Sequence, residues 1–291
     1  MGNSSYSSSD RTIRAASMQY HTKTVNEIFT QNVERKCHKD MDPKDVLKRE
    51  CRDSVAHPTA VPVQLYLDVT GSMGHIPHSL IKDGLPTLMG SLIQNGVQDV
   101  ALMFGCIGDH ENDRVPLQVA QFESGDAELD MWLTRSYLEG GGGGNAGESY
   151  LLAWYFAANH VSTDAFEKRK QKGFLITIGD EPCLRNLPVT AVKGVMGDTA
   201  VGQGNFTREE LLAAAQEKNH VYHIQINHRA RGCDTAWREM LGNNLIEITD
   251  YKTISKVISD LILAHSIGDI KPTPKQEASP STDSPKTEEI L

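Results

Sequence analysis

Hydrophobic positions along the chain fall into three regimes. Residues 1–60 are mostly polar, with a Ser-rich start and two stretches of helical spacing. In the first, 24–36, Val25, Ile28, Phe29 and Val33 recur every three or four residues and predict an amphipathic helix. The second opens at Asp42-Pro43, an N-cap residue followed by proline at the first helical position, and predicts a helix to about residue 52. Residues 61–267 alternate short apolar runs (63–69, 97–107, 174–178, 221–226 and 245–248) with helical stretches (76–94, 149–160, 208–218 and 253–265). A weaker run, 115–122, reads as an edge strand. Residues 268–291 hold four prolines and few apolar side chains, the composition of a disordered tail. The alternation predicts an α/β fold, a mostly parallel sheet with helices on both faces. Ligands on such sheets sit beyond the carboxyl ends of the strands, so chemistry is sought in the residues that follow each strand.

Composition narrows this picture. A chain of 291 residues with 39% hydrophobic residues supports one sizeable core rather than two. No apolar run approaches the roughly 18–20 residues of a membrane span. The opening MGNSSYSSSD is polar, so no secretory signal is expected, and Tyr6 stands where a myristoylation pattern needs Ser or Thr. Five scattered cysteines with no CxxC pair suggest neither a disulfide framework nor a structural zinc site, and suit a reducing cytoplasm. The net charge of −9 falls on the middle zone; an acidic body repels nucleic acid and anionic lipid, so neither a nucleic acid nor a membrane is expected as a partner.

The strand at 63–67 runs into Asp68-Val69-Thr70-Gly71-Ser72-Met73-Gly74, which places three oxygen-bearing side chains at alternate positions of a tight turn. Carboxylate and hydroxyl oxygens are hard donors suited to Mg²⁺ or Mn²⁺, although the same residue types also serve as ordinary turn formers. The strand at 174–178 ends in Gly179-Asp180, which brings a further carboxylate to the same sheet edge. Between them, five glycines at 140–144 precede Asn145-Ala146-Gly147-Glu148-Ser149. Such a run has no side chains to pack, so it serves close backbone approach to a ligand or acts as a plain linker. The spacing from Gly142 to Gly147-Glu148-Ser149 is that of a phosphate-binding loop, but Glu148 stands at the lysine position and reverses the sign of the main interaction.

Asp68-x-Thr70-x-Ser72, after an apolar strand and before Met73-Gly74, resembles the metal-ion-dependent adhesion site (MIDAS) of von Willebrand factor A domains. Residues 100–104 with Gly108-Asp109-His110 resemble the second strand and loop of that family, residues 140–149 the glycine-rich loop of an intracellular prokaryotic or phage-type branch, and 174–182 the strand that delivers the last aspartate. The resemblance covers about residues 61–265, between a polar N-terminal extension (1–60) and the tail (268–291). It implies a Rossmann-like, doubly wound sheet with Mg²⁺ (or Mn²⁺) at its edge, ligated by Thr70 and Ser72 hydroxyls and by Asp68 and Asp180. A protein partner's acidic side chain would complete the metal shell. Many members place a threonine in the middle loop, and residues 139–149 contain none, leaving Glu148, Asn145 and Ser149 as substitutes. Glu148 has two open uses, as a third carboxylate ligand or as a charge at the start of the next helix.

The implied function is a cytoplasmic, Mg²⁺-dependent protein-binding module rather than an enzyme, an adaptor in a multiprotein assembly such as those built around AAA+ ATPases. Two alternatives stand beside it. Asp68-Val69-Thr70-Gly71-Ser72 also resembles the nucleophile loop of haloacid-dehalogenase-like phosphotransferases, with Asp68 as nucleophile and Asp180 holding Mg²⁺, though Leu184 stands where that family has a second carboxylate. The other alternative is a metal-free structural scaffold. Among weaker signals, 109–113 reads as a solvated polar loop, His75 and His78 as rim residues, and one of His220, His223 and His228 as buried without chemistry. The Gly/Pro-interrupted segment 183–203 reads as a lid, a partner-contact surface or a mobile insertion, and Thr207 with Glu210 as a capping box.

Overall fold

A computed structural model describes residues 4–80, 82, 85–97, 99–140, 147–226 and 235–266. The described residues form ten strands: β1 (Arg49–Cys51), β2 (Val61–Asp68), β3 (Val100–Ile107), β4 (Leu117–Val119), β5 (Val161–Thr163), β6 (Gly173–Gly179), β7 (Asn186–Leu187), β8 (Phe206–Thr207), β9 (Asn219–Ile226) and β10 (Leu245–Ile248). Six of them make one sheet in the order β10-β9-β6-β2-β3-β4, parallel throughout except for the antiparallel edge strand β4. β2 is central, with Leu65 opposite Phe104 of β3 and Ile176 of β6.

Both faces of this sheet are covered, which is why its strands read as unbroken apolar runs rather than alternating ones. Along β2, Val63, Leu65 and Leu67 face a core shared with Leu88, Leu92, Leu129, Leu133 and the Ile254–Ser266 helix residues Ile254, Ile258 and Ile262. Tyr66 faces the opposite core, built with the helix Tyr150–Asn159 and with Leu211, Ala215 and Trp237. That helix is apolar almost all round because Tyr150 through Ala157 are all buried between the sheet and the helix Arg208–Lys218. The capping box at Thr207 forms as expected: Thr207 N–H donates to Glu210 Oε2 (2.8 Å) and Glu210 N–H to Thr207 Oγ1 (3.2 Å). Among the described residues no helix is long and apolar enough to cross a membrane.

Several local expectations are corrected. The helix expected over 24–36 breaks into Val25–Ile28 and Gln31–Glu34, because Phe29 drops fully into the sheet core. The helix expected from Pro43 is a turn followed by β1. Asp42 Oδ1 accepts from Lys44 N–H (2.9 Å), Asp45 adopts φ +61° and donates its N–H to Met196 O (2.9 Å), and β1 pairs in parallel with β5. Here tertiary pairing outweighs a local helix-start signal. The helical stretch expected over 76–94 stands where it is described, as the helices Ile76–Ser79 and Leu85–Gln94 with π-helical Leu80 and Lys82 between them. The segment 183–203 is neither lid nor loose insertion. β7 and β8 close an antiparallel pair around the helix Val189–Met196, which buries Val192 and Met196. The tail expected over 268–291 lies outside the described residues.

The N-terminal residues join the same body. Arg11 pairs with Asp130 and Arg14 Nε with Asp126 Oδ2 (2.7 Å), while Tyr20 OH donates to Asp130 Oδ2 (2.6 Å), all on the helix Asp126–Thr134. A second clasp is centred on the buried Asp164, which accepts from Arg52 Nη1 (3.0 Å), Lys168 Nζ (2.7 Å) and Asp53 N–H (3.0 Å). Burial alone would raise the Asp164 pKa, but these donors outweigh it and bring the group down to about 2. Its stabilising contribution is therefore complete above the ordinary Asp value near 4 and is lost as pH falls from about 4 to 2. Asp164→Asn should cost about 1–3 kcal/mol at pH 7, the penalty of buried donors left unmatched. In thermal unfolding, the gap between variant and wild type should close across that acidic window; a gap that persists at its lower end would refute the clasp.

Candidate metal centre

β2 and β6 are adjacent and parallel, so both end on the same edge of the sheet. Asp68 is the last residue of β2 and Asp180 follows the last residue of β6, and both are buried, at 0% and 4% exposure. After Asp68 the chain turns through Thr70 into a single 3₁₀ turn, Gly71–Met73. Thr70 donates both its N–H (2.9 Å) and its hydroxyl (2.7 Å) to Asp68 Oδ1. Thr70 Oγ1 lies 3.2 Å from Ser72 Oγ, which donates to Asp180 Oδ1 at 2.7 Å. Asp68, Thr70, Ser72 and Asp180 thus form one continuous chain of oxygens across the two strand ends.

The other carboxylate oxygen of Asp68 is reached from below, where Tyr150 OH donates to Asp68 Oδ2 at 3.2 Å. Tyr150 is the first residue of its helix, and its ring meets His223 edge-on (5.0 Å between centroids) and Trp237 (5.3 Å). His223 stacks on Trp237 at 3.8 Å, is fully buried, and bonds Thr177 Oγ1 (2.8 Å) and Gln225 Oε1 (3.2 Å). Burial pushes the His223 imidazole down to about 3, so it is neutral: a packing and hydrogen-bonding residue, as expected of one member of the 220–228 group. His228 lies outside the described residues.

The approach of Tyr150 depends on Gly179. A Cβ at that position would collide with the Tyr150 hydroxyl and stand 3.1 Å from Asp68 Cβ. The electrostatics follow from crowding carboxylates away from water. Burial raises the Asp68 pKa, with Asp180 adding to it, and these outweigh the lowering by Thr70 and Tyr150. Burial also raises Glu148, with Asp68, Asp113 and Asp109 adding to it, and holds Tyr150 far above its usual value.

Glu148 sits just before the helix N-cap Ser149 and is 7% exposed; its N–H donates to Pro182 O at 3.1 Å, and it bridges to Cys183. Among the described residues its buried Oε2 has no hydrogen-bond partner. Ser149 is otherwise engaged, accepting from His110 N–H (2.9 Å) and lying 2.7 Å from His110 Nδ1. Asn145 and the glycines at 141–144 lie outside the described residues.

In the loop 109–113 Glu111 and Asn112 are exposed, as expected of a solvated loop, while its first residue is not. Asp109 is buried, accepting from Glu111 N–H (3.1 Å) and Asn112 Nδ2 (2.5 Å), and its N–H donates to Asp113 Oδ2 (2.7 Å). His75 and His78 are rim residues as expected, the first edge-on to Tyr251 and the second to Phe29. Sequence reasoning missed Tyr150, Trp237 and His110, because only the fold shows which aromatic of an apolar helix, or which loop imidazole, turns toward the site.

The donors are all oxygen, the chemistry of Mg²⁺ and Mn²⁺ rather than of soft metals. Among the described residues no three His, Cys, Asp or Glu side chains converge to hold an ion by themselves. The hydroxyls of Thr70 and Ser72 span the distance between the two aspartates, and the unpartnered Glu148 oxygen is the kind of buried acceptor that a cation would satisfy. The residues therefore fit a divalent ion.

No family model matches the sequence, and no curated protein matches it. Among solved structures, the open conformation of the pilus adhesin SpaC from Lactobacillus rhamnosus GG aligns with 75% of this chain and 31% of its own, at a TM-score of 0.50 and 12% identity. Proximal thread matrix protein 1 from the mussel byssus, in a structure with a zinc-occupied MIDAS motif, aligns with 74% of this chain and 48% of its own, at a TM-score of 0.44 and 10% identity. The chain thus spans about a third of the first and about half of the second. At 12% identity the likeness to SpaC shows a shared fold.

Gly179→Ala should lower unfolding stability by about 1–3 kcal/mol, the usual cost of overpacking a filled site. Adding Tyr150→Phe, which removes the obstructing hydroxyl, should recover part of that loss in denaturant titrations at unchanged slope. A neutral Gly179→Ala would refute the close approach.

Proposed function

We propose that this protein is a metal-dependent protein-binding module of the von Willebrand factor A type, with Mg²⁺ (or Mn²⁺) held by Asp68, Thr70, Ser72 and Asp180 and with Glu148 alongside. The observation that carries the reading is the unbroken run of oxygens from Asp68 through Thr70 and Ser72 to Asp180 at the ends of two adjacent parallel strands. When bound, the metal supplies a Lewis-acidic position at the sheet edge where a partner's oxygen docks. The chain's own residues do the rest: Thr70 and Tyr150 orient the two oxygens of Asp68, and Ser72 orients Asp180. Binding rather than turnover is its role, in the cytoplasm, where its scattered cysteines suit a reducing compartment. An adaptor in a multiprotein assembly, AAA+ ATPase-linked ones included, is the setting suggested by the sequence resemblance.

Calorimetric titration of Mg²⁺ and Mn²⁺ into EDTA-treated protein should show one saturable site, with affinity reduced at least about tenfold in Asp68→Ala, the loss expected when a metal-site group is removed. Partner capture should then require the metal and disappear with EDTA. Equal heats from both proteins would overturn the metal reading, and metal-dependent hydrolysis of a phosphate ester by wild type but not Asp68→Ala would favour the phosphotransferase alternative instead.

A further inference from the structure

The protons at the sheet edge can be assigned from the distances. The Thr70 hydroxyl gives its one proton to Asp68 Oδ1, and the Ser72 hydroxyl gives its own to Asp180 Oδ1, both at 2.7 Å. The two hydroxyl oxygens lie 3.2 Å apart with neither proton between them, an arrangement that a shared cation relieves. Asp68 is accounted for in the same way. An ionised carboxylate has about four acceptor positions, two on each oxygen. Thr70 N–H (2.9 Å) and the Thr70 hydroxyl fill those on Oδ1, and Tyr150 OH (3.2 Å) fills one on Oδ2. The single position left serves one bond to an ion or to one of its waters, and does not let both oxygens grip the ion together. The Tyr150 bond is held from several sides. Gly179 leaves room for the hydroxyl, which a Cβ there would strike, and the ring is wedged edge-on against His223 and Trp237 at 5.0 and 5.3 Å. Tyr150 and Asp68 are both fully buried, so bulk water does not compete for the bond.

Resting on the metal-binding reading above, we propose that Tyr150 is a positioning residue whose hydroxyl sets which ion the centre accepts: by occupying Asp68 Oδ2 it bars two-oxygen coordination and favours Mg²⁺ and Mn²⁺ over Ca²⁺. All three ions take oxygen ligands, so the donor atoms alone do not separate them. The number of oxygens that each carboxylate can present does. Ca²⁺ takes about six to eight oxygens at roughly 2.3–2.6 Å and commonly draws two of them from one carboxylate. Mg²⁺ takes about six in a near-ideal octahedron at roughly 2.0–2.1 Å and keeps several waters, and Mn²⁺ shares the octahedral oxygen shell. Tyr150 acts through Asp68 alone, while Thr70 holds the other oxygen of the same carboxylate.

The test uses the full chain as wild type, Tyr150→Phe, Trp154→Phe and Asp68→Ala. Mn²⁺ binding is followed by the loss of the free-ion EPR signal, and Ca²⁺ is titrated into the loaded protein as competitor. In wild type Ca²⁺ should displace Mn²⁺ only in large excess. Tyr150→Phe keeps the ring and frees Oδ2, so the ratio of Ca²⁺ to Mn²⁺ affinity should rise by about tenfold or more, the scale on which groups behind a metal ligand act. Trp154, fully buried one turn further along the same helix, does not touch the hydroxyl, and Trp154→Phe should keep the wild-type ratio. Ready displacement by Ca²⁺ in wild type, an unchanged ratio in Tyr150→Phe, or an equal rise in Trp154→Phe would overturn this proposal and leave the metal reading intact. If Tyr150→Phe does not fold, Gly179→Ala displaces the hydroxyl with its added methyl and should raise the ratio in the same direction. An unchanged ratio there would overturn the proposal as well. The absence of Asp68-dependent Mn²⁺ binding would overturn the metal-binding reading beneath it.

Discussion

Two carboxylates side by side at the end of a buried parallel sheet are the constraint to which much of this structure answers. Parallel neighbours end on the same edge, so placing Asp68 at the end of β2 and Asp180 just past β6 forces them together in a region with almost no access to water. Burial, with the neighbouring Asp180 charge adding to it, favours the neutral form of Asp68. The donors gathered on Asp68, namely the Thr70 N–H and hydroxyl and the Tyr150 hydroxyl, are neutral dipoles rather than cations. They orient the carboxylate without cancelling its charge, which leaves the site attractive to a divalent ion.

Rigidity comes from the layer below. The helix Tyr150–Asn159 is wedged between the sheet and the helix Arg208–Lys218, and its first residue is the one that reaches Asp68. Tyr150 is in turn fixed by His223 and Trp237, and Trp237 Nε1 donates to Glu181 O at 3.3 Å, next to Asp180. Both aspartate-bearing loops therefore rest on one buried aromatic stack, which holds the oxygens in register through packing rather than through loop stiffness. The neutral His223 belongs to that stack, since a charged imidazole there would have no compensating partner.

The N-terminal residues show how far local signals carry. A capping box of Thr24 and Glu27 starts a helix that lasts four residues, because burying Phe29 in the sheet core outweighs continuing an amphipathic turn on the surface. The segment from Pro43 has the local marks of a helix start and instead becomes β1, where pairing with β5 and the Asp164 clasp decide the outcome.

What the sequence alone determined is the alternation of strand and helix, the parallel sheet that follows from it, and the oxygen donors Asp68, Thr70, Ser72 and Asp180, because hydrophobic periodicity and turn chemistry are local properties. Their convergence also followed, since parallel strands put their carboxyl ends on one edge. Only the tertiary structure decided the roles of Glu148, Ser149 and Tyr150. Three neighbours in sequence point to an unsatisfied carboxylate beside the site, a bond to His110 and a bond to Asp68, and nothing in their spacing separates those fates. Contacts between residues far apart in the chain settled each of them, and those contacts exist only once the sheet has closed.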